Sequence, residues 1–451
     1  MAAQQMNLRR ALRLSETACI NLVGAGGKTS ALFALARQYP RALVSATTHL
    51  GAWQLAWAQN LVDVGDPQGA RALAGEFAPG VSLFYKGIEN QRAVGLPPES
   101  LKILHTQAAA RRLPLILESD GARGCPLKAP AAHEPALYAA ADAVVVCAGL
   151  SALGQPCDEA HVHRPKIFAR LSGLDIGAAI TPQAVATVLT HPLGGLKDIP
   201  AEMRRVCLLT QADTPARMAA ARRIAENLLP AYHAMVIANL PLPNAAQTPQ
   251  VHACFEPVGA VILAAGGGTR MGGDTPKPLL LWQGKPLVRY AAERALNAGV
   301  AVVRVVIGAH ASALRAALAG LPVEIIENPH WQDGQSTSIR AALNGLPDVG
   351  ALIFMPADQP QTPPTLLRAL IDLHAQTLAP VLAPMVDGAR TTPTLFDRET
   401  FAALNALRGD VGGRAIFGDF PPAYLPWHDF SQLLDVDTPE DYARLLDIPA
   451  A

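Results

Sequence analysis

The chain has 451 residues, which is too long for one ordinary domain and favours two or three. Hydrophobic residues make up 50% of the chain and charged residues 16%, a balance that suits large buried sheets. Basic and acidic residues number 37 each, so no excess of positive charge favours a nucleic acid or a membrane surface as partner.

The start of the chain and its apolar runs give an expectation about location. Residues 1–16 lack the long apolar core of a signal peptide. The longest uncharged apolar run, near residues 143–154, is too short to span a bilayer. We therefore expect a soluble, cytoplasmic protein with no membrane partner.

The first half of the chain alternates apolar runs with alanine-rich helical stretches. Thr17–Val23 is the first such run and leads into a glycine loop. Further strands are predicted at residues 42–45, 113–118, 143–147, 206–210 and 234–238. Continuous apolar runs are typical of parallel strands buried on both faces. Residues 1–240 are therefore predicted to form an α/β domain, a mostly parallel sheet flanked by helices.

The glycine loop of this half predicts a nucleoside triphosphate (NTP) site. It reads Gly24-Ala25-Gly26-Gly27-Lys28-Thr29, a short G-x-x-G-K-T pattern, whereas the long Walker pattern would need glycine in place of Leu22. Amides at the start of the next helix suit phosphate oxygens, and Lys28 and Thr29 suit a phosphate and its magnesium ion. Asp120, just past a predicted strand, is expected to hold that magnesium opposite Thr29. The predicted domain is P-loop-like, with Gly24, Gly26, Gly27, Lys28, Thr29 and Asp120 as its site.

These motifs resemble those of the YqeC-like proteins, which are linked to selenium-dependent molybdenum hydroxylases. The matching pieces are GAGGKTS (24–30), TTH (47–49), ESDGARG with PLKAP and HEP (118–135), GLSALGQP (149–156) and HRP (163–165). The resemblance covers about residues 18–240. It implies an NTP-binding accessory domain of cofactor maturation and does not define a reaction.

A segment rich in proline, asparagine and glutamine, residues 241–257, separates this half from the next and is predicted to be a linker. The second half then begins with another apolar run, Gly259–Ala265. Further strands are predicted at residues 302–307, 323–326, 351–355 and 381–384, and helices at 287–297, 311–318, 338–343 and 365–374. Residues 258–451 are therefore predicted to form a second α/β domain with helices on both faces of its sheet.

The loop after the first strand of this half predicts a second phosphate site. Ligands of open α/β sheets lie at the carboxyl ends of the strands, and glycines let backbone amides approach phosphate oxygens closely. Arg270 can hold oxygens through its planar fork, and Lys277 can place a compact positive charge beside a reacting phosphate. A surface turn with incidental charges is the alternative. The candidate nucleotide-binding residues are Leu263, Ala264, Ala265, Gly266, Gly267, Gly268, Thr269, Arg270 and Lys277.

Acidic residues later in the chain predict a metal site. Asp358 follows the apolar strand at residues 351–355, and carboxylates at strand ends hold magnesium on triphosphates in transferases. Asp435 and Asp437 precede a predicted helix, and either can be the second ligand, with Asp437 preferred. Ser336 and Ser338 are interpreted either as nucleotide contacts or as helix caps.

Residues 259–446 resemble the MobA/MocA-like nucleotidyltransferases of molybdenum-cofactor maturation. The matching pieces are LAAGGGTRMGG with TPK (263–277), ENPHWQDGQSTSIRAAL (327–343), ADQP (357–360), LRGDVGGR (407–414) and DVDTPEDY (435–442). The resemblance implies a Rossmann-like, GT-A-like fold. It also implies nucleotide transfer to the phosphate of Mo-molybdopterin with release of pyrophosphate, with Lys277, Arg270 and Asp358 as catalytic residues and Mg²⁺ on Asp358 and Asp437.

The residues at the start of the glycine loop indicate which nucleotide is the substrate. Guanylyl-transferring relatives typically read LAGG, whereas this chain reads Leu263-Ala264-Ala265-Gly266, as the cytidylyl-transferring ones do, so the resemblance implies CTP. Thr392 stands where many cytidylyl relatives have a histidine, which puts the pterin contacts there in question. The alternative function is a chaperone that delivers cofactor to an apo molybdenum hydroxylase with NTP as a switch. A sugar-1-phosphate nucleotidyltransferase is disfavoured by the motif set.

Overall fold

The computed structural model describes residues 6–245, 247–267, 275–429 and 434–448. The chain divides into two compact units, Met1–Phe255 and Glu256–Ala451. Within the described residues, no helix combines the length and the apolar character needed to cross a membrane.

The first unit contains a large sheet with helices packed against it. Its strands are β1 (Cys19–Gly24), β2 (Arg41–Ala46), β3 (His49–Gly51), β4 (Asn60–Asp63), β5 (Gly80–Tyr85), β6 (Ile88–Glu89), β7 (Arg92–Val94), β8 (Leu115–Glu118), β9 (Leu127–Lys128), β10 (Ala143–Gly149), β11 (Val162–His163), β12 (Arg204–Thr210), β13 (Ala234–Asn239) and β14 (Gln250–Phe255). Its helices are α1 (Leu8–Ala11), α2 (Lys28–Ala36), α3 (Pro67–Ala72), α4 (Pro98–Ala110), α5 (Pro165–Ser172), α6 (Pro182–Thr190) and α7 (Pro215–Leu228).

The sheet of the first unit places β1 between β8 and β10. The strand order among the described residues is β14-β13-β12-β10-β1-β8-β2-β5-β4, and every pairing is parallel except that of β13 with β14. All seven residues of β10 are buried, which is why its sequence is one apolar run. The loop after β1 and the acidic end of β8 therefore leave the sheet at the same edge.

The predicted linker at residues 241–257 is wrong for its second part. Gln250–Phe255 forms β14, which pairs antiparallel with β13. Of its six residues only Ala253 and Cys254 are fully buried, because an edge strand has one face and one side open to solvent. This strand therefore lacks the continuous apolar run that marks the other strands.

The second unit is a mixed but mostly parallel sheet with helices on both faces. Its strands are β15 (Val258–Ala264), β16 (Leu281–Trp282), β17 (Lys285–Pro286), β18 (Val302–Ile307), β19 (Glu324–Glu327), β20 (Ala351–Pro356), β21 (Val381–Val386), β22 (Ala389–Arg390), β23 (Thr394–Asp397) and β24 (Ala423–Pro426). Its helices are α8 (Leu287–Asn297), α9 (Ala311–Ala317), α10 (Gln335–Leu343), α11 (Pro364–Thr377), α12 (Phe401–Ala406) and α13 (Pro439–Leu446).

Side chains of β15 alternate between two cores, one on each face of this sheet. Ala260 and Ile262 pack with residues of α8, α9 and α11, and Val261 packs with residues of α10 and α12. The strand order is β19-β18-β15-β20-β23-β21-β22, with β23 antiparallel to both of its neighbours and β24 paired with β21. The predicted α/β class, two domains with mostly parallel sheets flanked by helices, is confirmed.

Candidate functional sites

The candidate site of the second unit lies where β15 and β20 end. These strands are parallel neighbours in a register that pairs Leu263 with Pro356, so the glycine loop and Asp358 leave the sheet at one edge. A cavity of about 610 Å³ opens there. Its lining includes Leu263, Ala264, Gly266, Lys277, Gln335, Ile339, Phe354, Asp358, Thr392, Thr394, Phe396, Gly412, Gly413, Arg414, Phe417 and Asp437.

Lys277 connects the two predicted metal ligands. Its ammonium group forms an ion pair with Asp358 and lies 2.7 Å from Oδ1 of Asp437. Burial disfavours the charged ammonium, but the negative charges of Asp358 and Asp437 outweigh it and raise the pKa of Lys277 above its ordinary value. The lysine is therefore a fixed positive charge at the edge of the cavity.

The acidic side chains around Lys277 suit a divalent cation. Within the described residues, Oδ1 of Asp358 is buried without a hydrogen-bond partner, and an unpaired buried carboxylate oxygen is costly unless something binds it. Asp435 accepts a hydrogen bond from Gln359 at 2.8 Å, and burial together with the charge of Asp358 raises its pKa to about 6. This excess of carboxylate fits Mg²⁺, which takes one or two protein carboxylates and completes its shell with water and phosphate oxygens.

Among the described residues, side chains alone do not form a complete metal site. Within the described part of the chain, no three His, Cys, Asp or Glu side chains are grouped closely enough to hold a metal ion by themselves. A metal ion on the predicted pair Asp358 and Asp437 would therefore need oxygens of substrate or water as its other ligands.

Helix α10 presents residues other than the predicted serines to the cavity. Gln335 and Ile339, one helical turn apart, line it. Ser336 is fully buried, and Ser338 accepts a hydrogen bond from Asn328 at 3.0 Å, so neither serine is part of the lining. The capping alternative is wrong, because the helix begins after Gly334 and its first amide donates to Asp410 at 3.1 Å, whereas contact of either serine with a nucleotide stays a prediction.

The glycine loop of this unit is described only in part. Leu263, Ala264 and Gly266 line the cavity, whereas the carbonyl of Ala265 accepts a hydrogen bond from the amide of Ala309 at 3.1 Å. A Cβ on Gly267 would come within 3.5 Å of Trp331, so this glycine borders that ring rather than the cavity. Gly268, Thr269 and Arg270 lie outside the described residues, and their roles remain predictions.

Sequence reasoning missed one cation of this cavity. Arg414 lines it and is exposed, and among the described residues its guanidinium has no acidic partner. The sequence signal was the LRGDVGGR stretch, residues 407–414, where a basic residue follows a pair of glycines. A Cβ on Gly413 would lie 2.5 Å from the ring of Phe396.

The candidate site of the first unit surrounds the loop between β1 and α2. Gly24 and Gly26 have φ angles of +91° and +73°. A Cβ on Gly24 would lie 2.2 Å from the carbonyl oxygen of Cys147, and one on Gly26 would lie 2.3 Å from the amide nitrogen of Gly149. Both positions therefore require glycine, because the loop turns through the left-handed region while pressed against β10.

Lys28, the first residue of α2, is buried among acceptors. Its ammonium donates to the carbonyl of Gly24 at 2.7 Å and lies 3.0 Å from Asp120 and 3.8 Å from Glu118. Burial disfavours the charged ammonium, but these two carboxylates outweigh it and raise the pKa of Lys28. The lysine is held charged inside the protein.

Thr29 and Asp120, which were predicted to face one magnesium ion, contact different partners in the structure. The hydroxyl of Thr29 donates to Oε2 of Glu118 at 3.0 Å, and Asp120 instead binds Lys28 and Lys128. Glu118 is the last residue of β8, and Asp120 lies two residues beyond it, so the two acids lie close together at one edge of the sheet.

A chain of buried charges continues from Asp120. Lys128 lies 2.7 Å from Asp120 and 2.9 Å from Glu134, and Glu134 is also bound by both nitrogens of the Arg164 fork, at 2.6 and 3.0 Å. Burial alone would raise the pKa of Glu134, but the hydrogen bonds from Arg164 and Lys128 lower it to about 2. Glu134 is therefore held as a carboxylate by its two cationic partners, whereas burial raises the pKa of Glu118 at the end of β8.

Two family models match this chain. The model described as YqeC protein matches residues 20–166, and the model described as MobA-like NTP transferase domain matches residues 260–424. One model therefore falls in each compact unit.

Two relatives and one solved structure each match less than half of the chain. It is 33% identical over 197 residues to the uncharacterized protein YqeC of Escherichia coli (strain K12), over 43% of this chain and 75% of that protein. It is 31% identical over 197 residues to the nicotine blue oxidoreductase of Paenarthrobacter nicotinovorans, over 42% of this chain and 96% of that protein. Among solved structures, Rv0371c from Mycobacterium tuberculosis H37Rv is 31% identical with a TM-score of 0.38, over 43% of this chain and 98% of that one.

Proposed function

Because the chain belongs to the YqeC family and carries a MobA-like NTP transferase domain at residues 260–424, we propose that its second unit is a molybdenum cofactor cytidylyltransferase. The match to the MobA-like NTP transferase model supports the coarser statement, that this unit is a nucleotidyltransferase. The proposal adds the two substrates, CTP and Mo-molybdopterin, and the products, molybdopterin cytosine dinucleotide and pyrophosphate.

The observation that carries the proposal is the position of Lys277. A half-buried cation held by Asp358 and Asp437 lines a cavity of about 610 Å³ at the edge of the sheet where β15 and β20 end. Cavities of a few hundred to about 1,000 Å³ are usual for small-molecule substrates. Fixed charge beside a phosphate-binding loop is what phosphoryl-group chemistry needs from a protein.

The chemistry needs little covalent help from the chain. An oxygen of the pterin phosphate attacks the α-phosphorus of CTP, the bond from that phosphorus to the bridging oxygen breaks, and its electron pair leaves with pyrophosphate. Lys277 offsets negative charge that builds up near the α-phosphate, and the loop amides hold the leaving phosphates. Asp358 and Asp437 would hold the magnesium ion, which supplies further positive charge to the triphosphate.

The rest of the cavity suits an acceptor with a ring and a phosphate. Phe354, Phe396 and Phe417 form an aromatic wall, with Phe354 and Phe396 in edge-to-face contact at 5.6 Å between ring centres. Arg414 lines the same cavity and has no acidic partner among the described residues. Its planar guanidinium group matches the geometry of phosphate oxygens. We assign this side of the cavity to the pterin and the glycine-loop side to CTP.

A panel of nucleotides tests the proposal. Full-length protein is incubated with Mo-molybdopterin, magnesium and each of the four ribonucleoside triphosphates in turn, and pyrophosphate is followed. We expect kcat/KM for CTP to exceed that for every other nucleotide by at least about tenfold, a difference of about 1.4 kcal/mol in transition-state binding. A preference for GTP would overturn the assignment of CTP, and absence of turnover with all four would favour the delivery function instead.

A further inference from the structure

The first unit carries a cluster of buried charged side chains that the transferase reaction does not use. It is built from the loop at residues 24–29, the start of α2 and the ends of β8 and β9. Lys28, Glu118, Asp120 and Lys128 are all buried, with relative exposures of 4%, 7%, 2% and 9%. Burying four charged groups together is costly, so their arrangement calls for a reason beyond stability.

The start of α2 lacks the partners that a buried helix end normally has. Within the described part of the chain, the amides of Gly27, Lys28, Thr29 and Ser30 have neither a backbone nor a side-chain acceptor. The N-cap is Gly27, which has no side chain to cap the helix, and Lys28 and Ser30 are buried. Four such amides at the positive end of a nine-residue helix form a site for an anion.

A carboxylate already occupies the neighbouring donors. Asp120 accepts from the amide of Gly24 at 3.0 Å, lies 3.0 Å from the ammonium of Lys28 and lies 2.7 Å from that of Lys128. One loop amide and two lysines around one pair of acidic oxygens is the donor set expected for a phosphate group. Thr29, which would serve the magnesium of a bound triphosphate, is held instead by Glu118.

We propose that the first unit binds a nucleoside triphosphate at this loop and that the Asp120 carboxylate stands in for a phosphate group until the nucleotide displaces it. Glu118, not Asp120, is then the acid that accepts the hydrogen bond of Thr29 and lies beside the magnesium ion of the nucleotide. Asp120 remains paired with Lys128 after displacement, so it acts as an internal competitor of the ligand. This inference is independent of the reaction assigned to the second unit.

Three variants of the full-length chain test the proposal, with ATP as the probe and equilibrium dialysis in the presence of magnesium as the measurement. Asp120→Asn keeps the shape of the side chain and removes its charge, so we expect it to bind ATP at least about tenfold more tightly than the native protein. Lys28→Gln is expected to bind at least about tenfold more weakly, because a buried charge-assisted contact is lost. Asp175→Asn, at an exposed aspartate of the same unit, is the matched control and is expected to bind as the native protein does.

Each outcome decides the question. If Asp120→Asn binds ATP more weakly in magnesium but equally well without it, Asp120 is a metal ligand. That result would overturn the proposal that Asp120 stands in for a phosphate group. Unchanged binding by Lys28→Gln would overturn the site itself. Since every change lies in the first unit, binding of ATP by the second unit adds equally to all four proteins and does not affect the comparison.

The native protein supplies a measurement that needs no variant to fold. ATP with magnesium is expected to slow amide hydrogen exchange at Gly27–Ser30, because these amides gain an acceptor only from the ligand. Exchange at these positions that does not change at saturating ATP would contradict the proposal.

Discussion

Replacing Lys277 by methionine is expected to lower kcat/KM for CTP by about two to three orders of magnitude, the effect of removing one preorganised charge from a transition state. The variant keeps the length of the side chain but removes the cation between Asp358 and Asp437, so the carboxylates repel both each other and the triphosphate. The measurement is CTP-dependent release of pyrophosphate, with circular dichroism to verify that the variant is folded.

Lys285→Met is the matched control for this change. Lys285 lies in the same unit, is nearly half exposed and pairs with Glu293 at 2.9 Å. Exposed ion pairs contribute little to the free energy of folding, and this one does not line the cavity, so near-native turnover is expected. Lys277→Arg tests whether charge alone suffices, and we expect only partial activity because the planar fork cannot place a compact charge between two carboxylates. A Lys277→Met protein within threefold of native turnover would contradict the assignment.

Replacing Asp358 by asparagine is expected to remove transferase activity, by about a thousandfold or more, while the fold survives. The change preserves the size of the side chain but removes the charge of an oxygen that is buried without a hydrogen-bond partner in the described structure. A weaker metal site also raises the magnesium concentration needed for half-maximal activity. Turnover is therefore measured as a function of magnesium concentration.

The shift of the magnesium midpoint separates metal binding from a purely electrostatic role. Loss of Asp358 also frees Lys277 from its ion pair, and that effect alone would leave the midpoint where it is. Asp372→Asn, at an exposed aspartate of α11, is the control and is expected to behave as the native protein. Normal pyrophosphate release by Asp358→Asn, with an unchanged midpoint, would defeat the assignment of this residue.

Much of the fold is predictable because buried parallel strands carry a strong signal. β10 and β20 appear in the sequence as apolar runs at nearly their observed positions. β14 was not predicted because only two of its residues are fully buried and because it follows a proline-rich stretch. The two-residue strands β16 and β17 are too short to give any pattern. The sequence thus predicts the central strands, but it does not predict this edge strand or the short hairpin.

The sites divide in a similar way. Asp358 follows β20 and Asp437 precedes α13, and both positions are readable from the sequence, as is the place of Lys277 in the loop region after β15. The sequence did not show that Gln335 and Ile339 line the cavity, because the start of α10 is fixed by Gly334 and by a contact with Asp410, 75 residues away. Contacts of that kind leave no local pattern.

The choice between Glu118 and Asp120 could not be made from sequence either. Residues two apart at the end of a strand face the same way, so both acids were equally placed to reach Thr29. The structure separates them because Lys28 and Lys128 lie on either side of Asp120, and Lys128 comes from β9, a short strand paired with β11.

The fate of the α-phosphorus tests the central claim most directly. Full-length protein is incubated with Mo-molybdopterin, magnesium and CTP labelled with ³²P at the α position, and in a parallel reaction at the γ position. The account predicts that the α label appears in a pterin product while the γ label appears only in pyrophosphate, in equal amounts. Recovery of the α label in free CMP, or of the γ label in inorganic phosphate, with none of the α label on the pterin, would contradict it.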